Sequence, residues 1–290
     1  MTFTDITDNL QTEKIGRVYL TGAGPGDPGL LTIRAQDVLS MADTVLYDGL
    51  VSDAILSLAN TRAQLISVSK RVGNTSLTQS EINDLMIRLA RAGKLVVRLK
   101  CGDPFVFGRG AEEAQALAEA GILWEVIPGV SSGLAAPAYA GIPLTHRTAA
   151  SSVAFVTGQE DPAKYPSKVD WAKLADSVDT IVVFMGLKQV ENIANSLVSA
   201  GRPANTPAAV IESGTWRTQR TVTGTLANIA ELAADLESPA LIVIGDVVEM
   251  RSTLNWFEPR LGQVGATPEL AAAVFAGSPA DQSTQKQFRK

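Results

Sequence analysis

The sequence predicts an α/β protein of two domains, each a largely parallel sheet flanked by helices. Short and nearly continuous apolar runs recur along the chain, as in strands that are covered on both faces. Segments with helical spacing of apolar residues lie between these runs, and this alternation is typical of parallel sheets. The length of 290 residues corresponds to about two domains of average size.

Eight apolar runs are interpreted as strands. Each is short and rich in residues that favour strands. Their nearly continuous apolar character indicates strands buried on both faces. They lie at 18–20, 44–47, 95–99, 124–127, 153–158, 180–186, 208–213 and 240–245.

Five segments are interpreted as helices. The best defined begins at Thr78 and Glu81, which have the spacing of a capping box, and ends before Gly93. Its apolar stripe consists of Ile82, Leu85, Met86 and Leu89. The other four segments lie at 31–42, 111–121, 189–200 and 226–236.

A boundary between the two domains is predicted within residues 129–150. This stretch is rich in Gly, Ala, Ser and Pro, and a new series of strands follows it. We therefore assign 16–130 to an N-terminal α/β domain, 131–259 to a C-terminal α/β domain and 260–290 to a C-terminal tail. The tail ends in small and polar residues, which is typical of a mobile chain end.

Composition restricts the function classes. Hydrophobic residues make up 46% of the chain and charged residues 19%, as in a soluble globular protein. The net charge of −5 argues against a nucleic-acid partner held by bulk positive charge. A local basic pocket for an anionic small molecule is compatible with this net charge.

Cysteine, histidine and apolar runs are too few for several other classes. The single cysteine, Cys101, cannot form an internal disulfide, and the single histidine, His146, leaves too few ligands for a zinc cluster. No metal is therefore predicted. No apolar run approaches the ~18 residues of a membrane span, and the polar residues 1–14 do not resemble a signal peptide. We expect no membrane partner and a cytoplasmic location.

The loop at 22–29, GAGPGDPG, follows the first predicted strand. It suggests a dinucleotide fingerprint, but Asp27 stands where the third glycine of that motif belongs. Pro25 and Pro28 also lack the N–H groups that a phosphate cradle would use. The segment is interpreted as a rigid, specially shaped loop, with a plain strand-to-helix turn as the alternative.

Four further loops follow predicted strands, at the sheet edge where α/β proteins bind ligands. In the loop at 100–110, Phe105 and Phe107 could pack an adenine ring, but on their own they are interpreted as core residues. In the loop at 127–147, Ser131 and Ser132 could cap a helix, bind a ligand or do both. The remaining two loops lie at 184–189 and 211–220.

Taken together, six segments resemble the uroporphyrinogen-III C-methyltransferases of the tetrapyrrole methylase superfamily. They follow one another in the order and spacing of that family, from about Val18 to Phe257. GDPFVFGRG combined with GIPLTHR is the most specific part of the resemblance. The segments are GAGPGDPGLLT, VLYDGLVS, GKLVVRLKCGDPFVFGRGAEE, VIPGVSSGLAAPAYAGIPLTHR, VFMGLKQ and ESGTWRTQR.

The resemblance implies an active site in the cleft between two α/β domains, and a homodimer. It implies S-adenosyl-L-methionine as the methyl donor, which becomes S-adenosyl-L-homocysteine, and uroporphyrinogen III as the substrate. Methylation at C2 and C7 would give precorrin-2, on the route to sirohaem, cobalamin or both. Matched residue by residue, the family's cofactor contacts are Pro25, Cys101, Gly102, Asp103, Val106, Ser131, Ser132, Met185 and Gly214.

The resemblance also implies catalytic residues. The family's proposed proton acceptor corresponds to Asp48 and its proposed proton donor to Lys70. Without the resemblance, Asp48 would be interpreted as a carboxylate that caps a turn and Lys70 as a surface lysine. Cys101 stands where the family usually has glycine, and a cysteine keeps a backbone contact where φ is negative. We interpret it as a tolerated small residue and not as a nucleophile.

The carboxylates of the implied substrate require cationic partners near the strand ends. His146 is interpreted as a structural hydrogen-bonding residue beside the cleft and not as a catalytic base. The candidate partners are Arg71, Arg98, Arg109, Arg147 and Arg217.

Three alternatives remain at this point. The first is another methylase of the superfamily, which acts on a later corrin precursor or on a protein residue; GDPFVFGRG and PLTHR argue against it. The second is a nicotinamide-dependent oxidoreductase with Asp48 on a ribose, and Asp27 argues against it because it interrupts the fingerprint. The third is a binding protein that keeps the cleft without turnover, a possibility raised by Cys101.

Overall fold

The computed structural model describes residues 16–69, 77–158 and 169–258, which form two five-stranded sheets. In the first, called the parallel sheet, the strands lie in the order β3-β2-β4-β1-β5 and every neighbouring pair is parallel. Its strands are β1 (Arg17–Gly22), β2 (Thr44–Tyr47), β3 (Gln64–Ser67), β4 (Leu95–Lys100) and β5 (Leu123–Ile127).

Helices cover both faces of the parallel sheet. Successive residues of its central strands point to opposite faces, and the apolar residues on each face are buried by helices. Val38 packs on one face with Val97, while Met86 and Leu117 pack on the other with Val96. The helices are α1 (Ile33–Met41), α2 (Asp53–Leu56), α3 (Gln79–Arg91) and α4 (Gly110–Glu119).

The predicted capping box at the start of α3 is confirmed. The N–H of Glu81 donates to Oγ1 of Thr78, and the N–H of Thr78 donates to Oε2 of Glu81 at 2.6 Å. Gly93 follows the helix with φ of +73°, the conformation that commonly ends a helix. Local sequence signals therefore determine both ends of this element.

The second sheet, called the mixed sheet, has the strand order β6-β7-β10-β8-β9. Among its described neighbours only β6 and β7 are parallel, and the other three pairs are antiparallel. The α/β class is confirmed, but the prediction of a largely parallel second sheet is wrong. Its strands are β6 (Val153–Thr157), β7 (Thr180–Phe184), β8 (Pro207–Glu212), β9 (Arg220–Thr225) and β10 (Ala240–Ile244).

The direction of β10 cannot be read from its sequence. A strand buried on both faces is apolar throughout, and the pattern is the same in either direction. The polar strand β9, which the sequence analysis missed, pairs antiparallel with β8 through the loop 213–219. The helix predicted at 226–236 is shorter in the structure, where α8 covers Ile229–Leu232.

Helices also cover both faces of the mixed sheet. On one face, Ile193 and Ile229 pack against Val183; on the other, Ala136 packs against Ile211. No described helix has the length and hydropathy of a membrane span. Besides α8, these helices are α5 (Ser132–Tyr139), α6 (Trp171–Ser177), α7 (Val190–Ser199) and α9 (Arg251–Leu254).

These topologies determine which chain segments meet at the site. In the parallel sheet, the loops after all strands leave at one edge. In the mixed sheet, the carboxyl ends of β7 and β8 lie beside the amino end of β10, where Phe184 pairs with Leu241 and Glu212 with Ala240. The corresponding edge of the mixed sheet therefore consists of the carboxyl ends of β7 and β8 and the amino end of β10.

Candidate active site

A cavity of about 680 Å³ lies where these two sheet edges meet. Its walls come from the loops after β1, β4, β5, β7 and β8, and from the residues that lead into β10. The nine residues predicted as cofactor contacts all line it. They are Pro25, Cys101, Gly102, Asp103, Val106, Ser131, Ser132, Met185 and Gly214.

Four glycines bring the loops of the parallel sheet into direct backbone contact. Gly24 and Gly102 exchange two backbone hydrogen bonds, of 3.1 Å and 2.7 Å. A Cβ on Gly22 would lie 2.5 Å from the backbone N of Gly129, and a Cβ on Gly129 would lie 2.2 Å from the carbonyl O of Gly102. A side chain at either position would push these loops apart, so the close approach of the loops that carry Gly102 to the cavity requires glycine there.

The Asp103 carboxylate holds the loop after β4 in place. Its Oδ1 accepts from the N–H of Phe105 at 2.8 Å, and its Oδ2 accepts from the N–H of Gly129 at 3.1 Å. Ser131 caps α5 by accepting from the N–H of Gly133 at 3.3 Å, which confirms the predicted cap. Asp103 therefore contributes negative charge and a fixed loop shape to the cavity.

The wall on the mixed-sheet side has an unusual backbone. Met185, Ser213 and Thr215 have φ of +55°, +47° and +73°, in the left-handed region that favours glycine. A Cβ on Gly214 would lie 2.3 Å from the Cβ of Ala136, so the loop packs directly on α5. Conformations of this kind cost about 1–3 kcal/mol each and cluster at functional sites.

Three hydrogen bonds connect the loop after β1 to the mixed-sheet side. Trp216 Nε1 donates to the carbonyl O of Pro25 at 3.1 Å, and the N–H of Asp27 donates to Oγ1 of Thr215 at 3.2 Å. The hydroxyl of Tyr139 donates to Oδ2 of Asp27 at 2.7 Å. Burial and this bond raise the pKa of Tyr139 well above its ordinary value. Asp27 thus links the two sides of the cavity.

Phe105 and Phe107 are exposed, with 53% and 43% of their surface accessible. Phe107 lines the cavity, and its ring centroid lies 4.8 Å from that of Phe184. The interpretation of both residues as core is therefore wrong. Because the loop turns outward here, with Phe107 at φ of +50°, its aromatic surface faces the site.

Asp48, the predicted proton acceptor, is not among the residues that line the cavity, but Leu50, two residues later, is. Oδ1 of Asp48 accepts from Nη2 of Arg98 at 2.6 Å, and Oδ2 lies 4.0 Å from Nζ of Lys100. The Asp48 side chain is 30% exposed, whereas that of Arg98 is 2% exposed. Buried cations therefore hold a partly exposed carboxylate beside the cavity.

Glu113 completes this buried charge cluster. Its Oε1 lies 3.0 Å from both Arg98 Nε and Lys100 Nζ, and it also accepts from Nε2 of Gln79 at 3.2 Å. Burial and the neighbouring Arg98 charge lower the pKa of Lys100. The prediction that Arg98 meets a substrate carboxylate is wrong, because its guanidinium is buried and engaged within the protein.

Among the other predicted polar residues that the structure describes, none lines the cavity. Lys70 and Arg71 lie outside the described residues. Arg109 is exposed and forms an ion pair of 2.7 Å with Glu112. Arg147 is exposed as well, so a flexible anionic group could reach both arginines from solvent.

His146 and Arg217 are exposed side chains. Nδ1 of His146 lies 3.0 Å from Oγ1 of Thr148, and the backbone of His146 bridges to Ala150. This arrangement agrees with a structural role for His146.

The sequence also matches the family model of Tetrapyrrole (Corrin/Porphyrin) Methylases over residues 17–230, which is more than two thirds of the chain. The chain belongs to this family. The matched range contains all nine predicted cofactor contacts. It also contains the glycines that let chain segments approach closely at the site, which are Gly22, Gly129 and Gly214.

Two curated proteins are similar to this chain over most of its length. It is 52% identical over 274 residues to siroheme synthase 2 of Aeromonas hydrophila, covering 93% of this chain and 57% of that protein. It is 49% identical over 249 residues to the S-adenosyl-L-methionine-dependent uroporphyrinogen III methyltransferase of Methanosarcina barkeri, covering 85% of this chain and 97% of that protein. This chain spans about half the length of the siroheme synthases that it matches.

A solved structure supports the same fold. The uroporphyrin-III C-methyl transferase of Thermus thermophilus, complexed with S-adenyl homocysteine, superposes with a TM-score of 0.70 at 42% identity. The superposition covers 81% of this chain and 99% of that chain. The predicted two-domain methylase fold is therefore that of a solved relative.

Cys101 fits the cavity without backbone strain. The residue with positive φ is its neighbour Gly102, at +67°, and Cys101 is not among the residues with positive φ. Its Sγ lies 3.8 Å from the carbonyl O of Gly24. Burial, with a smaller contribution from the Asp48 charge, raises the pKa of the thiol to about 11. The neutral thiol supports the interpretation of a tolerated small residue.

Sequence reasoning missed one wall of the cavity. Ser238, Pro239, Ala240 and Leu241 line it from the start of β10, whereas ligand loops in parallel sheets follow the strands. Trp216 was also missed, although it stands within one of the quoted motifs. The residues at the start of β10 reach the site because this strand runs antiparallel to β7 and β8. No local signal in the sequence shows the direction of a strand.

Proposed function

We propose that this methylase transfers methyl groups from S-adenosyl-L-methionine to C2 and C7 of uroporphyrinogen III and forms precorrin-2, on the route to sirohaem, cobalamin or both. The observation that carries the proposal is that nine residues, matched to the family's cofactor contacts, line a single cavity between the two sheets. The named activity of the Methanosarcina barkeri relative and the ligand of the Thermus thermophilus structure support it.

The cavity is suited to S-adenosyl-L-methionine. Its volume of about 680 Å³ lies within the range typical of small-molecule sites. Apolar side chains such as Val106, Met185 and Leu241 would face the adenosine, and the Asp103 carboxylate would favour a cationic ligand. The crossing of Gly22 and Gly129 leaves backbone without Cβ atoms beside the site. When bound, S-adenosyl-L-methionine supplies an electrophilic methyl group on a sulfonium sulfur.

The protein's contribution to methyl transfer is mainly positioning. Holding two reactants at near-attack distance can lower a barrier by ~7–11 kcal/mol. The electron-rich pyrrole is the nucleophile, so no activated side chain is needed. This agrees with a neutral Cys101 thiol.

Asp48 is proposed to accept the proton that the methylated macrocycle must lose. Arg98 holds Oδ1 at 2.6 Å, which leaves Oδ2 as the oxygen available for a proton. A carboxylate at this place also stabilises positive charge on the macrocycle. Lys70, outside the described residues, is proposed as proton donor from the family resemblance alone.

The organisation of the whole protein is also a proposal. We divide the chain into domains 16–130 and 131–259 with a tail 260–290, because the parallel sheet ends with Ile127 and the mixed sheet begins with Val153. From the family resemblance we propose a homodimer in the cytoplasm. Sedimentation of the purified protein at micromolar concentration would test the dimer.

Incubation of the purified chain with S-adenosyl-L-methionine and uroporphyrinogen III tests the function. Mass spectrometry should show a product heavier by two CH2 units, because each methyl group gained replaces a proton, formed together with S-adenosyl-L-homocysteine. Binding of the cofactor without methylated product would favour a binding protein. Binding of NAD but not of S-adenosyl-L-methionine would favour the oxidoreductase alternative.

A further inference from the structure

The loop 213–219 forms one wall of the cavity in a conformation that its own residues do not favour. Ser213 and Thr215 both have positive φ, and Thr215 is β-branched, which makes this backbone conformation exceptional. Thr215 is 3% exposed. Gly214 between them packs against Ala136 and lines the cavity. An interaction outside these residues must select this conformation.

Gln219 supplies that interaction from the end of the same loop. Its Oε1 accepts from the backbone N–H of Thr215 at 2.8 Å. Its side chain is buried, with 5% of the residue exposed. Without Gln219, the buried N–H of Thr215 would lose its partner in this conformation, which disfavours the conformation.

Glu258 in turn orients Gln219. Nε2 of Gln219 donates to Oε1 of Glu258 at 3.1 Å, so the amide cannot rotate without losing two bonds. Oγ1 of Thr221 donates to the same oxygen at 2.5 Å, and Nη2 of Arg251 donates to Oε2. A residue after α9 is thereby connected to the cavity wall.

The wall is also connected to the parallel-sheet side through Thr215. Its Oγ1 accepts from the N–H of Asp27, and its neighbour Trp216 donates to Pro25. Pro25 and Gly214 both line the cavity. A change in the Thr215 backbone would therefore displace both rims of the site together.

We propose that Gln219, oriented by Glu258, is a positioning residue that pre-forms the 213–216 wall and thereby sets the affinity for the adenosyl cofactor. This inference rests on the proposed function. If removal of the Gln219 bonds leaves the wall correctly formed in a tenth of the molecules, the apparent Kd rises about tenfold.

The first experiment compares Gln219→Met with the unchanged protein. Methionine keeps the length of the side chain but makes neither hydrogen bond. Titration calorimetry with S-adenosyl-L-homocysteine should show a Kd raised about tenfold. The KM for S-adenosyl-L-methionine should rise by a similar factor, with a smaller change in kcat. Hydrogen exchange of the cofactor-free protein should be faster across 213–219.

Thr221→Val is the matched control. It removes a hydrogen bond to Glu258 but keeps the bond from Thr215 to Gln219. We expect a lower melting temperature and a Kd for S-adenosyl-L-homocysteine within about twofold of the unchanged value. A Kd raised as much as in Gln219→Met would overturn the proposal, because general destabilisation would then explain both variants.

An exchange of the two side chains provides a rescue. Gln219→Glu alone places two carboxylates at the 3.1 Å contact, and we expect weaker cofactor binding. Adding Glu258→Gln restores a donor and an acceptor at that contact with the original total charge. The double variant should recover most of the affinity, and a double variant that binds more weakly than Gln219→Glu would contradict the inference.

Two negative results have different meanings. If the unchanged protein does not bind S-adenosyl-L-homocysteine, the proposed function fails and this inference fails with it. If the unchanged protein binds it and Gln219→Met binds equally well, only the role of Gln219 is overturned.

Discussion

The two sheets contribute to one cavity in different ways. The parallel sheet supplies loops that follow its strands, glycine backbone crossings and the buried cluster of Arg98, Lys100 and Glu113 beneath Asp48. The mixed sheet supplies an apolar wall with positive φ angles, part of which precedes a strand. All the charged residues that are buried in the described structure belong to the parallel-sheet half.

This difference assigns separate roles to the buried charge cluster beneath Asp48 and to the mixed-sheet wall, while the parallel-sheet loops also carry most of the predicted cofactor contacts. A carboxylate held by buried cations is suited to a proton-transfer step, because the surrounding charges orient it. A rigid apolar wall is suited to binding and orienting an adenosyl group. Changes to the charged side should therefore act on turnover or stability, and changes to the wall on cofactor affinity.

The largest effect is expected for Asp48→Ala. Loss of a positioned proton acceptor should lower kcat by roughly 10²–10⁴-fold, with the Kd of S-adenosyl-L-homocysteine within about threefold of the unchanged value, because Asp48 does not line the cavity. Single-turnover kinetics and calorimetry measure the two quantities. Asp48→Asn is the matched variant, since an amide oxygen still accepts from Arg98. Unchanged turnover in both would remove Asp48 from the mechanism.

Glu113→Gln tests the buried charges of the parallel-sheet half. Removing this carboxylate charge leaves Arg98 and Lys100 buried with less compensation, and breaking a buried pair costs about 3–5 kcal/mol. We expect the free energy of unfolding in urea to fall by about 3 kcal/mol. The neighbouring Glu112→Gln is the control, because its pair with Arg109 is exposed and such pairs contribute about 1 kcal/mol or less. Equal losses would refute the contrast between buried and exposed charge.

Cys101, on the parallel-sheet side of the cavity, predicts a pH dependence of stability. Its pKa is about 11 in the folded protein against an ordinary value of 9.0, so the unfolded chain loses the thiol proton first as the pH rises. Stability should therefore fall between about pH 9 and pH 11, by at most about 3 kcal/mol. The free energy of unfolding of Cys101→Ala should not show this loss between pH 9 and pH 11. An equal loss in the variant would show that other groups cause it.

The smallest effect is expected for Tyr139→Phe. It removes the 2.7 Å bond to Asp27 that connects the two sides of the cavity and keeps the ring packed between Trp256 and Phe257. The free energy of unfolding should fall by about 1 kcal/mol. Thermal unfolding measures it, and a loss above about 3 kcal/mol would indicate that the two halves depend on this contact far more than one hydrogen bond allows.

Much of this protein could be predicted where the signal is local. Thr78 and Glu81 marked the start of α3 because a capping box needs only neighbouring backbone groups. Ser131 was predicted as a cap for the same reason. Nine of the residues that line the cavity were predicted from the resemblance of motifs. Motifs indicate which residues meet at a site, whereas hydrophobic periodicity does not.

The sequence by itself determined four of the five strands of the parallel-sheet half, but not β3, together with the cap at Thr78 and the identity of the motif loops. Only the tertiary structure decided the direction of β10, which brings Leu241 to the site, and the burial of Arg98 against Asp48. The physical reason is that hydrophobic pattern and capping act between near neighbours in the chain. Strand direction and charge pairing depend on residues that meet only after the sheets have formed.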